Sequence, residues 1–346
     1  MSSLNKENWR QTKWEEYKTN NLRELISPDF SKLIEEVASI EEKEALKRQV
    51  FFDKQEMEAS KGENADPLGE ANHTITSRLV HQYKNRVLLL TTSICFSHCR
   101  YCFRKSYTAR PNGFINSAEL NSIISYLKEN PQIKEILISG GDPLTASFEE
   151  LEYLLITLRK AFPSLIFRIC TRGPIFAPSV FSNELLSLLE SVKPLWLIPH
   201  INHSAELGSS QKVCLESILR KGIPIQSQTV LLKEINDDVQ TLVDLFNNLT
   251  ILGIKPGYLF QLDMAFGTSH FRVPLKEALI LWEKVKNELS GLSTPTFAVD
   301  MPLGGGKFPL SAVGFQKNFI YDGNNTITVT KNDNKVYTYS TENYKK

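Results

Sequence analysis

The chain has 346 residues, of which 41% are apolar and 23% are charged, and its formal net charge is +1. These are ordinary values for a globular protein, and the near-zero net charge argues against a nucleic-acid-binding surface. No apolar run approaches the length of a membrane-spanning helix, and the N-terminus carries charges where a secretory signal needs apolar residues. We therefore expect a cytoplasmic protein with one core and appended segments.

The first 77 residues are predicted to form a helical N-terminal extension that ends in a connector. Apolar residues recur at helical spacing between positions 8 and 61, for example at Leu33, Ile34 and Val37, which predicts helices packed outside the core. Residues 62–77 contain turn-forming residues and no apolar period, which is typical of a connector.

Residues 78–310 are predicted to form an α/β unit, a partial (β/α)6 TIM-type barrel. Short runs rich in Val, Ile and Leu alternate with helical stretches, at intervals of roughly thirty residues, the length of one βα unit. Apolar strands that alternate with helices are typical of a parallel sheet covered on both faces or closed into a barrel. The predicted strands cover 87–90, 135–138, 165–169, 195–198, 225–231 and 258–262, and the predicted helices cover 117–130, 148–162, 183–192, 209–221, 239–252 and 275–289.

The final segment, 311–346, is predicted to be a C-terminal β extension. Side chains alternate between polar and apolar over 326–330 and between apolar or aromatic and threonine over 336–339. The polar stretch between these two runs suits a turn, so the pattern predicts a β-hairpin.

Chemically distinctive residues follow five of the six predicted strands, and Gln228 lies within the end of the fifth strand. Active sites of βα barrels lie at the carboxyl ends of the strands, so these residues are expected to converge on one face. In chain order they are the loop of Cys95, Cys99 and Cys102, the stretch Ser139, Gly140, Gly141 and Asp142, then Thr171 and Arg172, His200, Gln228 and Asp263, with Asp300 after a further apolar run at 296–299.

Three cysteines separated by three and then two residues can hold an iron–sulfur cluster. Ordinary clusters take four cysteines, so Cys95, Cys99 and Cys102 would leave one iron open to a small molecule. The alternative is a zinc site completed by His98, in a binding module without catalytic activity. His98 directly precedes Cys99, and adjacent residues seldom converge on one tetrahedral ion, which favours the cluster.

Lys307 follows three consecutive glycines, at 304–306. A lysine in such a loop is commonly a solvated residue, because loops are rich in glycine and lysine. Its functional alternative is a Schiff base to pyridoxal phosphate, with the glycines allowing close packing of the backbone against the cofactor.

The cysteine loop resembles the signature of the radical S-adenosylmethionine superfamily. This resemblance implies a [4Fe-4S] cluster whose open iron binds S-adenosyl-L-methionine, and an electron that cleaves it to a 5′-deoxyadenosyl radical. Ser139, Gly140, Gly141 and Asp142 are similar to the motif that receives the methionine amino group. An electron donor such as flavodoxin or ferredoxin is implied as well.

With Lys307 and the two aspartates added, the pattern is similar to the lysine 2,3-aminomutase family. That resemblance implies an isomerase that interconverts L-lysine and β-lysine by 1,2-amino migration, with pyridoxal 5′-phosphate carried by Lys307. By the same resemblance Arg104 would clamp the substrate carboxylate, Asp263 and Asp300 would hold the distal ammonium of lysine, His200 and Gln228 would line the S-adenosylmethionine site, and Tyr83 and Arg86 would face the pyridoxal phosphate.

The chain departs from the fermentative lysine aminomutases in three ways. Gln82 stands where a further arginine near the phosphate is expected, and the chain stops soon after the predicted hairpin, without their zinc-binding extension. Its short form is similar to the aminomutases that supply β-lysine for modifying elongation factor P. A homo-oligomer is expected. Arginine or ornithine stays open as an alternative substrate, because two carboxylates could also hold those cations.

Overall fold

A computed structural model describes residues 13–18, 21–58, 60–108, 112–310, 319–330 and 334–341. Residues 1–12, 19–20 and 59 of the predicted N-terminal extension, 311–318 and 342–346 of the predicted C-terminal extension, and residues 332–333 of its predicted turn lie outside the described residues. The strands are β1 Thr74–Thr76, β2 Leu79–Tyr83, β3 Arg86–Thr92, β4 Glu135–Gly140, β5 Ile166–Thr171, β6 Leu195–Pro199, β7 Gln226–Leu231, β8 Lys255–Gln261, β9 Thr296–Met301, β10 Gly306–Pro309, β11 Phe319–Tyr321, β12 Thr326–Thr330 and β13 Val336–Ser340.

Parallel strands form the wall of an open barrel. Strands β3 to β6 pair in chain order, as do β7 to β9. Isolated parallel bridges from Leu197 to Ile225 and from His200 to Gln228 join the two groups. The predicted α/β barrel is therefore confirmed, and β9 extends the six predicted strands by one. Both edges of the barrel are flanked by antiparallel strands, β2 beside β3 and β10 beside β9.

Helices cover the outside of the barrel. Each of the six predicted barrel helices begins at the predicted residue and ends one residue earlier than predicted. Four of them begin after a side chain that accepts a hydrogen bond from the first turn, at Asn116, Ser147, Ser182 and Asp238. The helices are α1 Pro28–Glu36, α2 Ile40–Arg48, α3 Lys105–Thr108, α4 Ser117–Glu129, α5 Phe148–Ala161, α6 Gly173–Phe176, α7 Asn183–Ser191, α8 Ser209–Arg220, α9 Val239–Ile251 and α10 Leu275–Glu288.

The core lies between the outer face of the sheet and these helices. Helix α5 buries a leucine stripe at 151, 154, 155 and 158, the spacing of one helical face. The stripe belongs to the same apolar cluster as Ile136 and Phe167, whose side chains leave the outer face of β4 and β5. None of the helices in the described part of the chain is long and apolar enough to cross a membrane.

The N-terminal helices pack into this core, so the expectation that they lie outside it is wrong. Phe30 and Leu46 are fully buried and belong to the main apolar cluster. Phe30 meets Phe176 edge to face, with ring centroids 4.8 Å apart. Amphipathic spacing shows that a helix has a buried face, but it does not identify the element that covers this face.

The predicted C-terminal hairpin is confirmed. Strands β12 and β13 are antiparallel, and β11 adds a third strand to their sheet. The Tyr339 hydroxyl donates to the Leu262 carbonyl at 2.9 Å, and the amide of Leu275 donates to the Thr341 hydroxyl at 2.8 Å. The hairpin is therefore attached near the carboxyl end of β8, where the candidate site lies.

Candidate active site

The cysteine loop follows β3 directly and keeps its three thiols close to one another. Burial, followed by repulsion from nearby sulfurs, raises the pKa of Cys95 well above its usual value and that of Cys102 to about 11. Without a bound cation these groups stay protonated thiols. The donor set therefore fits an iron–sulfur cluster, whose positive irons would hold the thiolate forms.

His98, the fourth ligand of the zinc alternative, is engaged elsewhere. Its Nδ1 contacts the Arg23 carbonyl at 2.7 Å, and its backbone N–H donates to the Leu25 carbonyl at 2.8 Å. A zinc site needs its ligands around a single ion. In the described part of the chain, no three His, Cys, Asp or Glu side chains are arranged to hold one metal ion in this way. The contacts of His98 thus attach the loop to the N-terminal segment.

A buried ion-pair cluster connects the cysteine loop to Glu56 in the N-terminal segment. The Arg100 guanidinium donates to both Glu56 carboxylate oxygens at 2.7 Å, and Lys105 Nζ donates to Oε2 of the same carboxylate at 2.9 Å. Arg100 and Glu56 are fully buried. Sequence analysis missed Glu56, because a glutamate in a polar N-terminal segment shows no pattern that distinguishes it from a surface residue.

Gly140, the last residue of β4, and Gly141, which follows it, are required by the close approach of the segment that leads into the cysteine loop. A Cβ on Gly140 would lie 2.3 Å from the Thr92 carbonyl oxygen, and a Cβ on Gly141 would lie 2.2 Å from that of Ile94. Gly140 also has φ +129°, a conformation that side chains disfavour. The backbone of Gly141 donates to Thr92 at 2.6 Å. The predicted Gly140–Gly141 pair therefore lies directly against the cysteine loop.

Asp142 connects the ends of two strands. Its carboxylate accepts hydrogen bonds from the Thr171 hydroxyl and the Arg172 amide, each at 2.8 Å, and from the Leu144 amide at 3.1 Å. Burial raises the pKa of Asp142 to about 6, although these hydrogen bonds oppose the shift. Protein donors thus engage this carboxylate, while Ser139 leads into the glycine pair from β4.

His200 and Gln228 lie across the seam between β6 and β7 and are joined by a backbone bridge. Burial, followed by the charge of Arg172, lowers the pKa of His200 to about 3, so the imidazole is neutral. Its Nε2 is buried and has no hydrogen-bond partner among the described residues. An unpaired buried nitrogen costs about 1–3 kcal/mol, so a polar ligand that pairs with it would be favoured.

Lys307 lies opposite Asp300 in the β9–β10 pair, and their side chains meet. Nζ of Lys307 is 2.8 Å and 3.0 Å from the two Asp300 carboxylate oxygens, and 3.9 Å from the centre of the Phe260 ring. Lys307 is half-buried rather than solvated. The solvated-loop alternative is thus not what the structure shows for this side chain.

Asp263 completes an acidic pair with Asp300. Burial, followed by the negative charge of Asp300, raises the pKa of Asp263, while the charges of Lys307 and Arg104 lower it. Its Oδ1 is buried and finds no hydrogen-bond partner within the described ranges. A cation placed between the two aspartates would ionise Asp263 and pair this oxygen.

Tyr83, Arg86 and Gln82 surround the glycine–lysine loop. The Lys307 amide donates to the Tyr83 hydroxyl at 3.0 Å, and the Arg86 guanidinium lies 3.7 Å from the centre of the Tyr83 ring. Gln82, at the position where a further arginine is expected, donates to the Gly304 carbonyl at 3.1 Å. Tyr83 thus contacts Lys307 directly, Arg86 packs on the Tyr83 ring, and Gln82 supports the loop.

Arg104 has a partner that sequence analysis did not anticipate. Its Nε lies 3.2 Å from one Glu70 oxygen, and its Nη2 bonds the other. Glu70 belongs to the connector, whose Gly69 packs so closely on residues 303 and 304 that a Cβ there would lie 2.7 Å from their backbone. The connector therefore forms one wall of the site.

Most of these residues lie at or near the carboxyl ends of the barrel strands, whereas Arg86 begins β3 and Tyr83 ends β2 and reaches the site through Lys307. Arg104 interacts electrostatically with both Cys102 and Asp263, so it lies between the cysteine loop and the lysine–aspartate group. The two ends differ chemically. One carries sulfur ligands and a neutral imidazole, and the other carries an amine, two carboxylates and a phenol.

Comparison with known proteins gives consistent relatives. A family model described as the Radical SAM superfamily, for radical S-adenosylmethionine, matches residues 89–246. A protein of Treponema pallidum (strain Nichols) named "Putative L-lysine 2,3-aminomutase" is 53% identical over 312 residues, or 90% of this chain and 88% of that protein. The L-lysine 2,3-aminomutases of Acetoanaerobium sticklandii and Clostridium subterminale are 32% and 31% identical, and each match covers 92% of this chain and 75% of the relative. Among solved structures, Streptococcus suis SuiB bound to S-adenosylmethionine is similar. The match covers 66% of this chain and 49% of the SuiB chain, with a TM-score of 0.47 and 15% sequence identity.

Proposed function

The chain belongs to the L-lysine 2,3-aminomutase family of radical S-adenosylmethionine enzymes, and we propose that it interconverts L-lysine and β-lysine. As a member of this family it is an isomerase that uses a [4Fe-4S] cluster and S-adenosylmethionine. We further propose pyridoxal 5′-phosphate as a cofactor bound through Lys307. Cysteines kept as cluster ligands need a reducing compartment, which supports a cytoplasmic location.

The observation that carries the proposal is the meeting of Lys307, Asp300 and Asp263 beside Arg104. When bound, the cluster with S-adenosylmethionine supplies a carbon radical that can remove an unactivated hydrogen, and pyridoxal phosphate supplies a carbon–nitrogen double bond across which an amino group can move. The amine of Lys307 is the group that would bind the pyridoxal carbonyl. Tyr83, which contacts the backbone amide of Lys307, and Arg86, which packs on Tyr83, would bind the phosphate.

The acidic pair supports a substrate with a distal cation. Without cofactor, the ammonium of Lys307 occupies the position beside Asp300. Once Nζ of Lys307 is committed to the cofactor, Asp300 loses this partner and Asp263 still has an unpaired buried oxygen. The distal ammonium of lysine would satisfy both carboxylates, since a buried negative charge needs a cation nearby.

Arg104 would orient the other end of the substrate. Glu70 occupies its Nε and one Nη2 hydrogen, and the edge formed by Nη1 and the second Nη2 hydrogen is the one suited to a second carboxylate. The substrate would thus be held at both ends, by a guanidinium at its carboxylate and by two carboxylates at its distal ammonium. Fixing both ends places one carbon–hydrogen bond toward the radical source.

The proposal is tested by turnover of anaerobically reconstituted protein with S-adenosylmethionine, pyridoxal phosphate and dithionite as reductant. L-lysine is expected to give β-lysine, whereas L-arginine and L-ornithine in the same assay are expected to give little or no β-amino acid. Faster turnover of arginine or ornithine than of lysine would overturn the substrate assignment. A protein that binds iron and sulfide but isomerises none of the three would overturn the proposed reaction.

Glu70→Gln is expected to raise the KM for lysine about tenfold and to change kcat less than about threefold. The substitution removes a charged hydrogen-bond partner that fixes Arg104, and such bonds contribute about 1.5–3 kcal/mol. Steady-state kinetics measure both constants. Glu119→Gln, which weakens the half-buried pair with Arg78 outside the site, is the matched control and should leave KM unchanged. A lower KM in Glu70→Gln would show instead that Glu70 competes with the substrate.

A further inference from the structure

Arg172, at the end of β5, makes a contact that the proposed reaction does not use. Its Nη1 donates to the Cys99 sulfur at 3.2 Å and to the Tyr101 hydroxyl at 2.8 Å. Arg172 is buried, with 7% of its side chain exposed. A buried guanidinium therefore contacts one of the three predicted cluster ligands.

The remaining nitrogens of Arg172 are held just as firmly. Its Nη2 donates to Glu206 at 2.8 Å and to the Gln49 side-chain oxygen at 3.3 Å, and its Nε donates to the His200 carbonyl at 3.2 Å. Gln49 follows α2, and His200 and Glu206 both lie in the segment after β6, so two separate segments of the chain fix the orientation of the guanidinium. Its donation to Cys99 is thus preorganised.

Glu206 is a built-in counter-charge for Arg172. It is fully buried and accepts further hydrogen bonds from the Gln49 side chain at 2.9 Å and the Asn202 amide at 3.1 Å. A buried arginine needs such a partner, because an uncompensated charge in the interior is costly. The pair brings positive charge next to the sulfur and negative charge behind it.

We propose that Arg172 is a positioning residue that sets the reduction potential of the cluster by donating to the Cys99 sulfur, with Glu206 limiting this effect. Hydrogen bonds to ligand sulfurs and nearby positive charge stabilise the reduced cluster, which carries one more negative charge, and so raise its potential. The inference rests on the proposed function only in requiring that the three cysteines hold a cluster.

The test is a redox titration of the cluster, monitored by electron paramagnetic resonance, on anaerobically purified protein with measured iron and sulfide content. Arg172→Gln is expected to shift the potential to more negative values, because it removes the charge. Glu206→Gln is expected to shift it to more positive values, because the Arg172 charge is then uncompensated. Arg172→Lys, which keeps the charge but loses the fork of donors, should lie between wild type and Arg172→Gln.

Arg168→Gln is the matched control. Arg168 lies on β5, which Arg172 follows, and it pairs with Glu135 at 3.1 Å, so this variant loses the same charge without losing a hydrogen bond to a predicted cluster ligand. Its potential is expected to equal that of the wild type. If Arg172→Gln does not retain iron, Arg172→Lys and Glu206→Gln still decide the matter by the opposite signs of their shifts.

The outcomes separate the two proposals. Wild-type protein without iron and sulfide would overturn the proposed function and this inference together. Clusters present at full stoichiometry with equal potentials in wild type, Arg172→Lys and Glu206→Gln would overturn the inference alone. Shifts of the same sign in Arg172 and Glu206 variants would also overturn it, since charge compensation requires opposite signs.

Discussion

Replacement of Lys307 by alanine is expected to abolish turnover, by at least about 10³-fold, while the iron and sulfide content stays at the wild-type level. The substitution removes the only amine placed between Asp300 and the Phe260 ring in the described part of the chain. Loss of a residue that binds covalently to the reacting group has effects of this order or larger. Visible spectra of anaerobically purified protein should lose the pyridoxal absorbance and keep that of the cluster.

Lys307→Arg separates covalent chemistry from charge. Arginine keeps a cation beside Asp300, so the fold and the ion pair should survive, but a guanidinium does not form a stable Schiff base. Turnover is expected to be lost as completely as in Lys307→Ala. If Lys307→Arg retained more than a tenth of wild-type turnover with unchanged pyridoxal absorbance, the assigned role of Lys307 would be wrong.

Glu56→Ala is expected to destabilise the protein by about 3–5 kcal/mol, the typical cost of removing one partner from a buried ion pair. Both Arg100 and Lys105 would keep their charges in the interior without this carboxylate. Because they flank Cys102, the iron content of reconstituted protein should fall as well. Urea unfolding followed by fluorescence, and iron analysis, measure the two effects.

Glu216→Ala is the control for this loss. It removes the same side chain from an exposed pair with Arg220 on α8, where such pairs contribute little. Its unfolding midpoint is expected to stay close to the wild-type value. A Glu56→Ala protein no less stable than Glu216→Ala would show that the buried cluster does not hold the cysteine loop in place.

The stabilising effect of Glu56 also depends on pH in a defined direction. Burial would raise the pKa of Glu56, but the hydrogen bond from Arg100 and the charges of Lys105 and Arg100 hold it below its usual value. A carboxyl group whose pKa is lowered by folding stabilises the folded protein, and this stabilisation is fully present at pH values above the pKa of a glutamate in the unfolded chain. This contribution is lost as the pH falls through the lowered pKa.

Local patterns in the sequence determined the barrel and the chemical groups at its strand ends. Strands and helices with strong periodicity follow from neighbours a few residues apart, so their limits were predicted to within a residue for α4 and α5. The cysteine spacing, the glycine–lysine loop and the two aspartates are likewise local signals. Strand β1 escaped prediction, because it has only three residues, mostly exposed, with a single apolar side chain.

The charged partners of these groups were decided only by the tertiary structure. Glu56 lies 44 residues from Arg100, Glu70 lies 34 from Arg104, and Arg172 lies 73 from Cys99. A glutamate that will be buried against an arginine has the same local sequence pattern as one on the surface, because burial depends on which elements pack together. The sequence thus determined which chemistry the site can support, and the packing of the connector and the N-terminal helices against the barrel decided which charges hold it.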